Sequence, residues 1–163
     1  MTQEVITLSK KAKKEIDYWL KKFPEAYRQS ALLAALHIVQ EENNGFLTED
    51  LMNAVAQYIA IPPIAVYEVA SFYAMYDLKP TGRHKIYLCT NISCMLRGAY
   101  DILEHMEKKL KIKAGGTTKD GKFTLKEFEC LGACISAPMM QIDKDYHENL
   151  TNERVDAILD KLS

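Results

Sequence analysis

The chain has 163 residues, 48% of them apolar and 26% charged, with 21 basic against 22 acidic side chains and a net charge of -1. That length suits one ordinary domain or two small ones, and the composition is that of a globular chain with a real core; it excludes the disordered and membrane-spanning classes. A balance this close to zero supplies no global field for polyanions, so nucleic acid is not an expected partner.

The opening "MTQEVITLSKKAKKEIDYWL" contains no apolar run of signal-peptide length and reads as the approach to a charged helix, not as a transit peptide. No window reaches the roughly eighteen apolar residues that a membrane span needs. Together these features predict a cytoplasmic protein. From Ser9 onward, Ile16, Trp19, Leu20 and Phe23 fall at helical spacing, and Pro24 closes that helix. "SALLAALHIVQEENNG" is apolar around most of its circumference, as a helix between other helices must be, and Gly45 follows as its C-cap. Thr48, with Glu49 and Asp50 behind it, reads as an N-cap leading into Leu51, Val55, Tyr58 and Ile59. "IPPIAVYEVASFYAMY" predicts a fourth helix with proline in its first turn and Val66, Val69, Ala70 and Tyr73 inward; the aromatics of "SFYAMY" are expected in the core.

At "DLKPTGRHK" helical spacing stops among proline, glycine and polar residues. The boundary falls there, dividing the chain into a helical bundle over 1–79 and a second domain over 80–163. "KIYLC" predicts a strand running into Cys89, and "RGAYDILEHMEKKLKI" a helix with Ile102, Leu103, Met106 and Leu110 inward. "TTKDGKFTLKEFEC" predicts a turn at Asp120-Gly121 and a strand of Phe123, Leu125 and Phe128 that delivers Cys130. "PMMQIDKDYHENL" reads as a hairpin, and Thr151 as the cap of a last helix carrying Val155, Ile158, Leu159 and Leu162. The expected fold class is α+β with α/β character: a helical bundle, then a small sheet in the order β, α, β, β, β, α. Each half alone is small for an independent core, so packing against the other half or a partner protein is expected.

The chemistry lies in the cysteines Cys89, Cys94, Cys130 and Cys134, spaced C-x4-C and C-x3-C with 35 residues between the pairs (130 − 94 − 1). In a cytoplasmic chain two structural disulfides are disfavoured, which leaves ligand or redox roles. Two loops that each present two thiolates suit a binuclear iron–sulfur cluster, whose irons each take two cysteine sulfurs. A structural zinc accepts similar spacings and stays open as an alternative. A dithiol catalyst would use C-x-x-C, which is absent. For the cluster, Cys94 is expected just before a helix beginning near Arg97, whose free amides could face the sulfurs, and Gly132 is expected to turn Cys130 and Cys134 inward. His37, His84, His105 and His147 have no spacing partner beside the cysteines and read as structural. "AGGTTKDG" matches no phosphate-binding glycine pattern and reads as a loop entering a hairpin.

The segments "SFYAMYDLKPTGRHKIYLCTNISCMLRG" and "TTKDGKFTLKEFECLGACISAPMMQID", joined to the helical N-terminal half, resemble the thioredoxin-like [2Fe-2S] ferredoxins, the family to which the E subunit of bacterial NADH-quinone oxidoreductase (respiratory complex I) belongs. The likeness runs from about Tyr18 to the C-terminus, and C-L-G-A-C-x-x-A-P is its most specific element; Phe72-Tyr73 and Pro80-x-Gly82-x-His84 add to it. It implies a thioredoxin-like second domain, one [2Fe-2S] cluster on Cys89, Cys94, Cys130 and Cys134, and no catalytic residue on this chain. It also implies neighbouring peripheral-arm iron–sulfur subunits and a flavoprotein partner that carries FMN and the NADH site, on the cytoplasmic side of the inner membrane. The helical half with its aromatic fourth helix is the expected docking surface for that partner. The same resemblance extends to the corresponding subunit of NAD-linked hydrogenases and formate dehydrogenases. A zinc-binding interaction module and a free-standing thiol oxidoreductase are the readings from other classes. Tyr76 stands where many relatives carry phenylalanine.

Overall fold

The computed structural model describes residues 7–162. The sequence readings that fall on residues 1–6 and 163, including the first residues of the charged opening and both ends of the predicted domains, lie outside the described residues. The chain divides into two compact units, Met1–Pro80 and Thr81–Ser163.

In the first unit, helix α1 (Lys10–Leu20) begins where Ser9 Oγ accepts the amide of Ala12 at 2.9 Å, satisfying one of the donors a helix start leaves open. Ala12 and Ile16 are its buried residues, while Trp19 turns outward. After Pro24 the segment Glu25–Ala31 forms a 3-10 turn before helix α2 (Leu32–Glu42). The "SALLAALHIVQ" pattern does not forecast this turn, since 3-10 and α-helix share their apolar residues over so short a stretch. Thr48 Oγ1 accepts the amide of Leu51 and opens α3 (Glu49–Ile59), and α4 runs Pro63–Phe72 with proline in its first turn. Leu32, Leu36, Val55, Ile59 and Val66 form the centre of one core.

The fourth helix departs from expectation at its end. Val66 and Ala70 are buried and Val69 is half-buried, but Tyr73 is exposed and Phe72 is 80% exposed. The helix stops at Phe72, and Tyr73 has extended backbone (ψ 121°), so helical periodicity no longer governs the residues that follow. Of the three aromatics only Tyr76 is buried. Its hydroxyl donates to Leu33 O at 2.9 Å, and burial raises its pKa, so the group that distinguishes it from phenylalanine has a partner. Gln40, also buried, holds the same segment: its Nε2 donates to Met75 O at 3.1 Å and its Oε1 accepts from Asp77 N at 2.7 Å.

In the second unit a four-stranded sheet has the order β2-β1-β3-β4. The central strand β1 (His84–Cys89) is parallel to β2 (Phe123–Phe128) and antiparallel to β3 (Met140–Ile142), which pairs with β4 (Asp145–His147). The parallel pair requires a crossover, supplied by a short helix α5 (Ile92–Leu96) and the longer α6 (Ala99–Leu110). Thr151 caps α7 (Asn152–Lys161), its Oγ1 accepting from Arg154 N at 3.2 Å. Ile86, Leu88, Met106, Leu125, Val155 and Leu159 are among the buried residues of the core between sheet and helices. Asp156 on α7 joins α6 twice, through His105 Nε2 at 2.8 Å and Lys109 Nζ at 3.2 Å; the His105 hydrogen bond first, and Lys109 with it, hold its carboxyl below the usual range. His84 Nδ1 lies 2.7 Å from Asp143 Oδ2, so two of the four histidines have aspartate partners.

Gly82 sits where the chain enters β1. A Cβ there would lie 2.7 Å from the carbonyl carbon of Phe123 and 2.9 Å from its nitrogen, and both atoms are backbone. Its own amide donates to Thr124 Oγ1 at 2.6 Å. Gly82→Ala must therefore push the entry segment off β2, and a loss of about 1–3 kcal/mol is expected, as for other overpacked sites. A urea midpoint equal to that of the unaltered chain would show that the segment yields freely.

Candidate metal centre

The register of β1 with β2 explains how cysteine pairs with 35 residues between them come together. Cys89, the last residue of β1, lies opposite Phe128, the last of β2. The strands are parallel, so both loops leave the sheet at the same edge. The end of β1 is held on both sides: Thr90 N donates to Phe128 O at 3.1 Å, and Cys89 N to Met139 O at 3.2 Å. By strand alternation Cys89 faces away from Leu88 and Ile86, out of the main core and into a smaller cluster with Cys94, Ala99, Ala137 and Met139.

Cys94 differs from expectation in its setting. It lies inside α5, not just ahead of a helix: Met95 N donates to Asn91 O and Arg97 N to Cys94 O, and only then does Gly98 turn the chain into α6. The donor that reaches its sulfur is the backbone of Met139, from beside β3, rather than an amide at the start of α6. Gly132 also plays a narrower part than predicted. Its φ of +87° is a conformation that glycine adopts without strain, but nothing lies within 4 Å of where a Cβ would stand. The loop it shapes leaves Cys130 and Cys134 exposed instead of facing inward, whereas Cys89 and Cys94 are 2% and 1% exposed.

The four sulfurs nonetheless form one neighbourhood. Cys130 Sγ and Cys134 Sγ are 3.4 Å apart. Cys94 is hydrogen-bonded to Cys89 and feels the charge of Cys134, and Cys134 in turn feels that of Cys89. Burial first, and then Cys89, push the Cys94 thiol up to about 11 against the pull of the Met139 backbone. The Cys134 thiol is raised chiefly by its hydrogen bond with Cys130, with a hydroxyl contact from Ser93 working the other way. Thiols that raise one another's pKa are donors which ionise together only around a positive centre, and the uptake of such a centre releases their protons. Among the described residues no three Cys, His, Asp or Glu side chains close on a single ion position, and the sulfurs stand as two pairs. That donor set fits a binuclear iron–sulfur core, which takes its thiolates two to an iron.

Several supporting residues have no signal in the spacing of the cysteines. Asn91 caps α5 by accepting from Ile92 N at 2.7 Å, and its Nδ2 donates to Glu129, the neighbour of Cys130, so one amide side chain ties the two loops together. Tyr146 on β4 donates to Leu131 O at 2.7 Å and holds the second loop from outside. The Ala137-Pro138 peptide bond is cis. Asn91 ahead of "ISCML" is legible as a cap; the partnership with Glu129 depends on tertiary placement alone. Ile135, next to Cys134 in the chain, is 90% exposed, and Ile92 and Leu96 on α5 are exposed as well.

Compared with known proteins, residues 16–163 match the family model described as thioredoxin-like [2Fe-2S] ferredoxin. The E subunit of the NADH-quinone oxidoreductase of Rickettsia conorii is 47% identical over 143 residues, 88% of this chain and 86% of that one. The mitochondrial NADH dehydrogenase [ubiquinone] flavoprotein 2 of Dictyostelium discoideum is 43% identical over 148 residues, 91% of this chain and 60% of that one. Among solved structures, an air-oxidized NAD+-reducing [NiFe]-hydrogenase superposes with a TM-score of 0.69 at 24% identity over 80% of this chain and 22% of that one, a likeness of fold.

Proposed function

Because this chain belongs to the thioredoxin-like [2Fe-2S] ferredoxin family, we propose that Cys89, Cys94, Cys130 and Cys134 hold one [2Fe-2S] cluster and that the chain serves as the iron–sulfur electron-transfer subunit of an NADH-quinone oxidoreductase. The observation that carries the reading is the meeting of two sulfur pairs, one buried and one exposed, at the edge where β1 and β2 end. Bound there, the cluster supplies a store for one electron at a time. The chain's own residues set the terms. The Met139 backbone at Cys94 and the Ser93 hydroxyl at Cys134 stabilise negative charge on sulfur, which favours the reduced state. The wall of Ala99, Ala137 and Met139 keeps water from the buried pair.

The partner is a flavoprotein subunit that carries FMN and the NADH site, since this sequence has no dinucleotide fingerprint of its own. Other peripheral-arm iron–sulfur subunits complete the electron path, and the assembly sits on the cytoplasmic side of the inner membrane. No described helix is long and apolar enough to cross a membrane, in keeping with a peripheral place. Two sets of exposed apolar residues are available for docking: Ile64 and Phe72 on α4, as the aromatic fourth helix suggests, and Ile135 next to Cys134 with Ile92 and Leu96 on the helix that carries Cys94. The second bears directly on electron exchange, because a flavin must approach the exposed side of the cluster.

The test is anaerobic purification of the full chain with analysis of metal and acid-labile sulfide. About two irons and two sulfides per chain are expected, with visible absorption that bleaches on reduction and a low-temperature EPR signal from the reduced state. Mixing with the flavoprotein subunit and NADH should generate the same signal. A colourless, EPR-silent chain carrying zinc would refute the proposal.

A further inference from the structure

The two sulfur pairs differ in what surrounds them. Cys89 and Cys94 are sealed, the first at the end of β1 and the second within α5. Cys130 and Cys134 are both exposed, and their sulfurs stand 3.4 Å apart. Between them Gly132 has open space where a side chain would be, and Leu131, partly buried against the cysteine cluster, accepts at its carbonyl from Tyr146. A small rotation of either cysteine side chain brings two such sulfurs to bonding distance, which is about 2.0 Å. Cys89 and Cys94 are 2% and 1% exposed, so an oxidant in solution meets the outer pair first.

We propose that in the cluster-free chain Cys130 and Cys134 close a disulfide that bars cluster assembly until it is reduced, so that the exposed pair acts as an oxidation-sensitive latch on loading. This rests on the reading of these four cysteines as the cluster's ligands. The chemistry uses peroxide as oxidant. One thiol is oxidised to a sulfenic acid as the O–O bond of hydrogen peroxide breaks and water leaves; the second thiol then displaces hydroxyl from that sulfur, and a second water leaves as the S–S bond forms. Two thiols have lost two electrons and two hydrogens to one peroxide. A dithiol reductant reverses the step by thiol–disulfide exchange. The disulfide removes two of the four sulfur donors, and the pair left behind supplies the ligands of only one iron.

The experiment takes the full chain, strips iron with a chelator under reducing conditions, removes the reductant and adds one equivalent of hydrogen peroxide. Peptide mass spectrometry should find a Cys130–Cys134 crosslink, while Cys89 and Cys94 remain alkylatable after unfolding without reductant. Incubation with ferrous iron and sulfide should then load at least about tenfold less iron than the reduced chain, and dithiothreitol should restore loading. A crosslink that involves Cys89 or Cys94, or equal loading of oxidised and reduced chains, overturns the latch. Cys89→Ser separates this inference from the reading beneath it. That variant should form the same crosslink although it cannot complete a cluster, and its failure to do so also counts against the latch. An unaltered chain that crosslinks but takes no cluster in either state refutes the ligand reading, and with it the role of the crosslink in loading.

Discussion

Serine in place of Cys89 or Cys94 is expected to leave a chain that retains at least about tenfold less iron than the unaltered protein and shows neither the visible absorption nor the reduced-state EPR signal. The reason is the setting of the buried pair. Both thiols lie in a wall of small apolar side chains, and the backbone of each is fixed, Cys89 by ladder hydrogen bonds on both sides of β1 and Cys94 by the turns of α5. A serine oxygen is a harder and shorter donor, and neither backbone can advance to meet an iron. The same change at Cys130 or Cys134 should be milder. Their loop is exposed and open around Gly132, so it can shift, and a cluster with altered spectra and lowered occupancy is the expected result. Iron counting and EPR on the four variants check the ordering. Full occupancy in Cys94→Ser, or loss confined to the exposed pair, would show that the buried pair is not ligating.

The second large effect concerns the strand that delivers Cys89. Ile86 is fully buried in the central strand of the sheet, opposite Leu125 on β2 and Ile142 on β3. Ile86→Ala removes side-chain volume from a site closed by strands on both sides and helices above, where collapse is limited, and should destabilise the second unit by about 3 kcal/mol. Ile86→Val, which deletes a single methylene, should lose about 1 kcal/mol. The chain has two compact units, so one unfolding transition is not assured, and the measurement should follow a probe of the second unit. Cluster absorption during urea titration serves, with far-UV circular dichroism beside it. Equal midpoints for the alanine and valine variants would place Ile86 outside the core.

Much of the second unit can be read in the sequence because its signals are local. The turn at Asp120-Gly121, the hairpin after Pro138 and the Thr151 cap each depend on a few adjacent residues, and each has its counterpart in the fold. The helices α3 and α6 are long enough for their apolar period to be unambiguous. By contrast, α5 spans five residues, little more than one turn, and no periodicity can be seen in so few. For that reason the pattern sets Cys94 ahead of a helix, whereas the residue stands within one. The exposure of Cys130, Cys134 and Phe72 is not legible either, since accessibility depends on what packs over a residue rather than on its neighbours in the chain. The partners of the cysteines divide along the same line: the grouping into two pairs is visible in the spacing, but Met139, Ser93 and the Asn91–Glu129 tie arise only when distant segments meet.

The pairing of Cys89 with Phe128 carries one more consequence, for the order of events as the chain matures. Neither strand can recognise the other until the whole excursion through α5 and α6 has folded back, so this alignment is among the slower things the polypeptide must achieve. A slip of a single residue would turn the faces of β2 inside out and carry Cys130 roughly 3.3 Å along the sheet, away from its counterparts. A coloured molecule is therefore expected to be one whose strands are correctly aligned.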